Sequence, residues 1–303
     1  MLHWKSGRAA LLMGGVLLAW FLGDRVLAYV CDRLVMSSQL RFAKVYGEAE
    51  PAAVLILGDS RAVNTFHAPT LSRALQEPVF SLAYNGCSAD VSAVLFADWL
   101  ERHPPPRVVV VEVTCTLRDA SLLKSLKMFA GRSERVRFAI QTDYPSIANA
   151  CDCAHLYRFN SELFLRTLYY LRRSDQGWIN HYQIAPGLVA ESESATANAV
   201  RLGRPLPQAV DGLRRIEALC RERGVTARYV IGPYMPLFRD RIVDLDALRE
   251  ELEEAVGIKI LDFSRAVTDV AHFADNVHMN FDGSEELATR LMDSGLFGPE
   301  RIE

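Results

Sequence analysis

Short, nearly continuous apolar runs recur along the chain, separated by longer segments with helical spacing. The runs are residues 53–57 (Ala-Val-Leu-Ile-Leu), 79–83 (Val-Phe-Ser-Leu-Ala), 108–113 (Val-Val-Val-Val-Glu-Val), 228–231 (Arg-Tyr-Val-Ile) and 258–261 (Ile-Lys-Ile-Leu). Runs this short that do not alternate predict strands covered on both faces, as in a parallel sheet. Pro69 opens a helix ending near Gln76, and residues 92–101 form a second, halted before Pro104-Pro105-Pro106. Residues 209–223 and 245–256 are amphipathic and stop at Gly224 and Gly257; residues 284–292 form the last helix. Strands alternating with helices predict an α/β fold, a three-layer doubly wound parallel sheet. Residues 116–207 break the alternation. Within them, residues 155–173 are rich in Leu, Phe and Tyr and read as helix. This stretch is expected to be a mainly helical insert beside the sheet's carboxyl edge, where ligands bind in such sheets.

The N-terminus has a different pattern. Lys5 and Arg8 precede an uncharged run over residues 9–23, Asp24 and Arg25 interrupt it, and residues 26–30 are apolar again. Fifteen helical residues span about 22 Å, short of a hydrocarbon core of about 30 Å, so the first run alone has the length of a signal-peptide core. No pair of small residues suited to cleavage follows it. With Asp24 and Arg25 snorkelling to the interface, residues 9–30 are long enough to anchor the chain in the cytoplasmic membrane. The basic flank places the N-terminus inside and the domain outside, in the periplasm. The expected division is therefore an anchor over residues 1–30 and a catalytic domain over 50–303.

Composition excludes several classes. The 303 residues carry 34 Lys and Arg against 37 Asp and Glu, and no basic stripe interleaved with aromatics, so no nucleic-acid partner is expected. The six cysteines form no CxxC pair and no Cys/His metal spacing, and there is no Gly-rich phosphate loop; neither metal nor cofactor is expected. Cys87 and Cys115 follow two predicted strands and read as buried thiols, with pairing in an oxidising compartment as the alternative.

Two short motifs carry chemistry. Gly58-Asp59-Ser60 follows the first strand, which places the Ser60 hydroxyl at the carboxyl edge; Asp and Ser also cap ordinary turns there. Asp275-Asn276-Val277-His278 lies between the last strand and the last helix. Separation by three residues lets Asp275 and His278 share one face of a turn. His278 is then the general base for Ser60, and Asp275 holds its tautomer. His67 reads as a surface or capping histidine, and Tyr157, Tyr169, Tyr170 and Trp178 as packing residues rather than a sugar platform.

The Gly-Asp-Ser after the first strand and the Asp-x-x-His before the last helix resemble the first and last blocks of the SGNH (GDSL-type) hydrolase superfamily. Asn85-Gly86 resembles its second block. The resemblance covers roughly residues 50–115 and 225–295 and implies a flavodoxin-like SGNH fold. It also implies an oxyanion hole built from the Ser60 and Gly86 amides. The third block, Gly-x-Asn-Asp, is absent: Glu112-Val113-Thr114-Cys115 stands there. Arg61, Asn85 and Thr114 are the candidate substrate contacts, with an exposed or ion-paired arginine as the equal alternative for Arg61. The anchor, Arg61 and the sequence His278-Met279-Asn280-Phe281-Asp282-Gly283 are together similar to membrane-anchored SGNH-like proteins that accompany membrane-bound O-acyltransferases. This implies O-acetylation of a cell-surface or exported polysaccharide through an acyl-Ser60 intermediate, with such a membrane protein as partner. An extracytoplasmic ester hydrolase with the same triad is the alternative, and a non-catalytic assembly or glycan-binding component a third.

Overall fold

The computed structural model describes residues 2–48, 50–194 and 198–298, with the side chains of residues 2–8 and 10 not described. The basic flank of Lys5 and Arg8 thus lies outside the described side chains. Five parallel strands, β1 (Val54–Leu57), β2 (Val79–Ser81), β3 (Val108–Glu112), β4 (Thr226–Ile231) and β5 (Ile260–Asp262), form one sheet in the order β2-β1-β3-β4-β5. This is the flavodoxin-type doubly wound order. Every residue of β1 and β3 is buried, which accounts for the absence of alternation in their sequences. Helices Ala89–Arg102 and Pro207–Arg223 pack together, and so do Ala68–Leu75 and Phe281–Asp293. Gly224 and Gly257 end their helices in the left-handed region, as their positions in the sequence predict.

The chain divides into two compact units. One holds the sheet, with Lys44–Leu122 and the chain from Ser174 onward; the other holds the chain up to Ala43 with Leu123–Arg173. Residues 116–207 therefore do not form one body, and their ends belong to the sheet unit. There the Gln176 side chain bonds both the amide and the carbonyl of Ser81, at 2.7 and 3.1 Å, satisfying the open edge of β2.

In the other unit the N-terminal helix runs over Leu2–Ser37, past the expected limit at residue 30. Its stretch Leu11–Ser37 is long and apolar enough to cross a membrane, and Leu11, Leu12, Val16, Trp20 and Leu22 are exposed. Asp24 is buried instead of snorkelling. Its two carboxylate oxygens accept the amides of His155 and Leu156 at 2.9 Å each, and it pairs with Arg25. It thus caps a 3₁₀ turn, His155–Phe159. The helix expected over 155–173 is broken there. Asn160 leaves helical geometry, and the Ser161 hydroxyl accepts the Phe164 amide to start a second helix, Glu162–Tyr169.

Candidate active site

β1 ends in a turn at Gly58, whose φ is +136°. A Cβ there would lie 2.8 Å from the Ala62 Cβ and 3.3 Å from the Glu112 carbonyl oxygen, so the turn needs both the dihedral freedom and the missing side chain. Gly58→Ala is expected to destabilise the sheet unit by at least about 1–3 kcal/mol, measured by urea unfolding. An unchanged midpoint would show that the turn relaxes without strain.

Directly after Gly58, the Asp59 carboxylate accepts the Arg61 amide at 2.8 Å and caps helix Ser60–Thr65. Ser60 is therefore the first residue of a helix at the carboxyl edge of β1. The site lies between β1 and β3, where the strand order reverses.

The histidine arrives from the far end of the chain. His278 Nε2 lies 2.8 Å from Ser60 Oγ, and His278 Nδ1 lies 2.8 Å from Asp275 Oδ2. Asp275 Oδ1 also accepts the amides of Val277 and His278, at 2.8 Å each, so one carboxylate shapes the loop and holds the ring. Burial works to raise the Asp275 pKa, but hydrogen bonds from His278 and these amides prevail and hold it below the ordinary carboxylate value. Asp275 thus stays charged beside the His278 ring down to lower pH than an ordinary carboxylate would.

Tyr84 donates its amide to the Gly58 carbonyl at 3.1 Å, tying the loop after β2 to the nucleophile turn. Gly86 follows at φ +70°, with Asn85 exposed on the same loop. Neither the Ser60 nor the Gly86 amide is bonded to a protein group among the described residues. Both remain available as donors.

Arg61 and Thr114 do not occupy the positions expected of substrate contacts. Arg61 is buried and its guanidinium is engaged within the protein. Nη1 donates to the Val277 carbonyl at 2.8 Å, Nη2 to the Gly232 carbonyl at 2.7 Å, and Nε to Glu112 at 3.3 Å. Its plane lies 3.6 Å from the centre of the Tyr234 ring. Thr114 is buried too, and donates its hydroxyl (2.5 Å) and its amide (3.1 Å) to Glu112. Glu112 thus stands where the third-block motif would be and turns inward. Burial pushes its pKa up, while Arg61 pulls it back.

Three contributors were not found from the sequence. Arg118 donates Nε to Asp59 at 2.8 Å. The Ser192 hydroxyl donates to Asn276 Oδ1 at 3.4 Å, from helix Pro186–Ser194. The Met235 amide donates to the Asn276 carbonyl at 3.1 Å. Arginines and serines at such spacings carry no local signal, because each partner is distant in sequence. Cys87 and Cys115 are buried free thiols, and burial, with Asp59 and Glu112 nearby, holds the Cys115 thiol well above its ordinary value. They read as inert packing groups.

No family model and no curated protein matches this chain. Solved structures do. A protein from Streptococcus pneumonia described as a platelet activating factor is 10% identical, covers 93% of this chain and 98% of its own, and has a TM-score of 0.41. A protein from Parabacteroides merdae described as a GDSL-like lipase is 12% identical, covers 84% of this chain and 99% of its own, and has a TM-score of 0.37. The fold assignment rests on the strand order itself.

Proposed function

We propose that this chain is a serine-dependent acyl-transfer enzyme that moves an acyl group, acetyl in the simplest case, through Ser60 to a polysaccharide hydroxyl. The observation that carries the reading is the unbroken hydrogen-bond chain Ser60–His278–Asp275, with 2.8 Å at each link. A serine hydroxyl is protonated at neutral pH and needs a base within this reach to become a nucleophile.

The chemistry follows from the atoms present. His278 Nε2 takes the Ser60 proton as Oγ attacks the carbonyl carbon of the donor ester. The oxyanion accepts the amides of Ser60 and Gly86. His278 then gives its proton to the departing alkoxide, leaving acyl-Ser60 and an alcohol. An acceptor hydroxyl repeats the sequence in reverse: it loses its proton to His278, attacks the acyl carbon and releases Ser60. Water in that role gives simple ester hydrolysis. Arg61 positions the reacting groups without touching substrate, because it joins the residue after the nucleophile to the carbonyl before the histidine.

Transfer to an exported glycan is supported by the motif resemblance and by the long apolar N-terminal helix. In this reading that helix anchors the chain with the sheet unit outside the cytoplasmic membrane, and a membrane-bound O-acyltransferase supplies the acyl group. The test is to incubate the purified chain with an activated acetyl ester and candidate oligosaccharides, and to follow both by mass spectrometry. Acetylated glycan, with ester hydrolysis slowed at saturating glycan, is the expected result. Positioning raises the effective concentration of a bound hydroxyl over water. Ester consumption with no glycan gaining mass would reduce the function to hydrolysis.

A further inference from the structure

We propose that the cavity between the N-terminal helix and residues 128–159 binds the phosphate of an anionic membrane lipid. The proposal rests on the membrane-anchor reading of that helix. The cavity measures about 380 Å³, and the residues that give it its character are Arg25, Tyr29, Asp32, Arg132, His155 and Arg158.

Its charges do not cancel. Asp32 is taken up by Arg132, which reaches it through both Nε (2.8 Å) and Nη2. Asp24 is taken up by Arg25 and two backbone amides. Arg158 is left without a balancing carboxylate in close contact. Its Nε is buried with no hydrogen-bond partner, and Asp152, its ion-pair partner at 3.9 Å, is largely exposed. Gly131 lies under the same guanidinium, since a Cβ there would come 3.2 Å from Nη1. A buried N–H without an acceptor is unfavourable, and an anionic oxygen is the strongest acceptor available. Burial, with Arg158 and Arg25 nearby, lowers the pKa of His155, as expected of a pocket already rich in positive charge. With Asp32 engaged by Arg132, the described cavity lining offers no free carboxylate to a choline or ethanolamine cation.

The depth of the cavity points to a lipid as the source of the phosphate. Residues 9–23 supply about 22 Å of helix, and a hydrocarbon core of about 30 Å requires two further turns. Over those turns Val26, Leu27, Tyr29 and Val30 are exposed, while Asp24 and Ala28 are buried against the rest of the unit. Arg25 and Tyr29 line the cavity, on the part of the helix that reaches headgroup level in this reading. Helix Glu162–Tyr169 packs beside the N-terminal helix and exposes Leu165, Leu168 and Tyr169. Residues 123–173 carry nine Lys and Arg against four Asp and Glu, in a chain that is acidic as a whole. That excess suits an anionic membrane surface.

The experiment uses the full chain, delipidated in nonionic detergent and titrated with short-chain phosphatidylglycerol, with phosphatidylcholine of the same chains, and with inorganic phosphate. Native mass spectrometry counts the adducts and thermal unfolding reports stabilisation. One saturable phosphatidylglycerol adduct is expected, with phosphatidylcholine and phosphate weaker by about tenfold or more. Arg158→Gln and Arg25→Gln should each weaken phosphatidylglycerol about five- to tenfold. Circular dichroism establishes that each variant is folded, and if one is not, the other carries the test. Equal binding of the two lipids, or unchanged binding by a folded variant, overturns the proposal. Phosphate binding as tightly as phosphatidylglycerol overturns the lipid assignment in favour of a free anion. Carbonate extraction of membranes separates this from failure of the anchor reading: a chain that resists extraction yet shows no lipid preference refutes the site alone.

Discussion

Ser60→Ala and His278→Ala are each expected to reduce ester turnover by about 10⁴–10⁶-fold, with the double variant no worse than either single one. The reason is geometric. The two side chains meet at 2.8 Å and act in one proton transfer, so removing either removes the step. Asp275→Asn is more selective. An asparagine oxygen still accepts the amides of Val277 and His278, so the loop keeps its shape. Its NH₂ group then faces Nδ1, which favours the tautomer with the proton on Nε2, and that nitrogen can no longer accept from Ser60. A loss of about 10⁴-fold with an unchanged unfolding midpoint is expected. Asp275→Ala should lose the loop as well and unfold earlier. Steady-state kinetics with an activated acetyl ester, together with intact-mass detection of acyl-Ser60 and fluorophosphonate labelling, check all five. Full turnover by the folded Ser60→Ala variant would remove the proposed mechanism altogether.

The second large effect is expected at Arg61. Arg61→Met leaves Glu112 fully buried without its cation and frees the Val277 and Gly232 carbonyls. Breaking a buried pair from one side costs about 3–5 kcal/mol, which is much of the stability of a typical domain. Arg61→Lys keeps the charge but cannot reach Glu112, Val277 and Gly232 in one plane, so it should recover part of the stability and little of the turnover. The cycle Arg61→Met, Glu112→Gln and the double variant separates pairing from packing. If Glu112 is the partner that matters, the double variant is more stable than Arg61→Met alone. Urea unfolding beside kcat/KM gives both readouts, and an additive cycle would show that the two residues stabilise the fold independently.

The difference between these two sites shows what could be read from the sequence. Ser60, Asp275 and His278 lie in two short motifs whose internal spacing already implies their geometry, and β1, β2 and β3 declare themselves by burial on both faces. The role of Arg61 depends on groups at Glu112, Gly232 and Val277, brought together only by the sheet order. Beside a nucleophile, an arginine reads as a substrate contact because nothing in its neighbours reveals that it is buried. Thr114 was misread for the same reason, since its acceptor is the last residue of β3 turned inward. Residues 116–207 form no single insert because their middle part finds its apolar partner in the N-terminal helix, a long-range pairing that periodicity does not encode.

The Asp24 cap has a consequence for biogenesis. The acceptor leaves the ribosome early, and its donors, the His155 and Leu156 amides, follow 131 and 132 residues later. At roughly 5–20 residues per second, that gap lasts on the order of ten seconds. Throughout it, the carboxylate has only solvent and its neighbour Arg25 for company. A segment made well before its donors is therefore among the last to reach its native contacts. A protease that cut this helix away beyond Asp24 would remove a wall of the unit it later completes, so the segment is part of the folded protein.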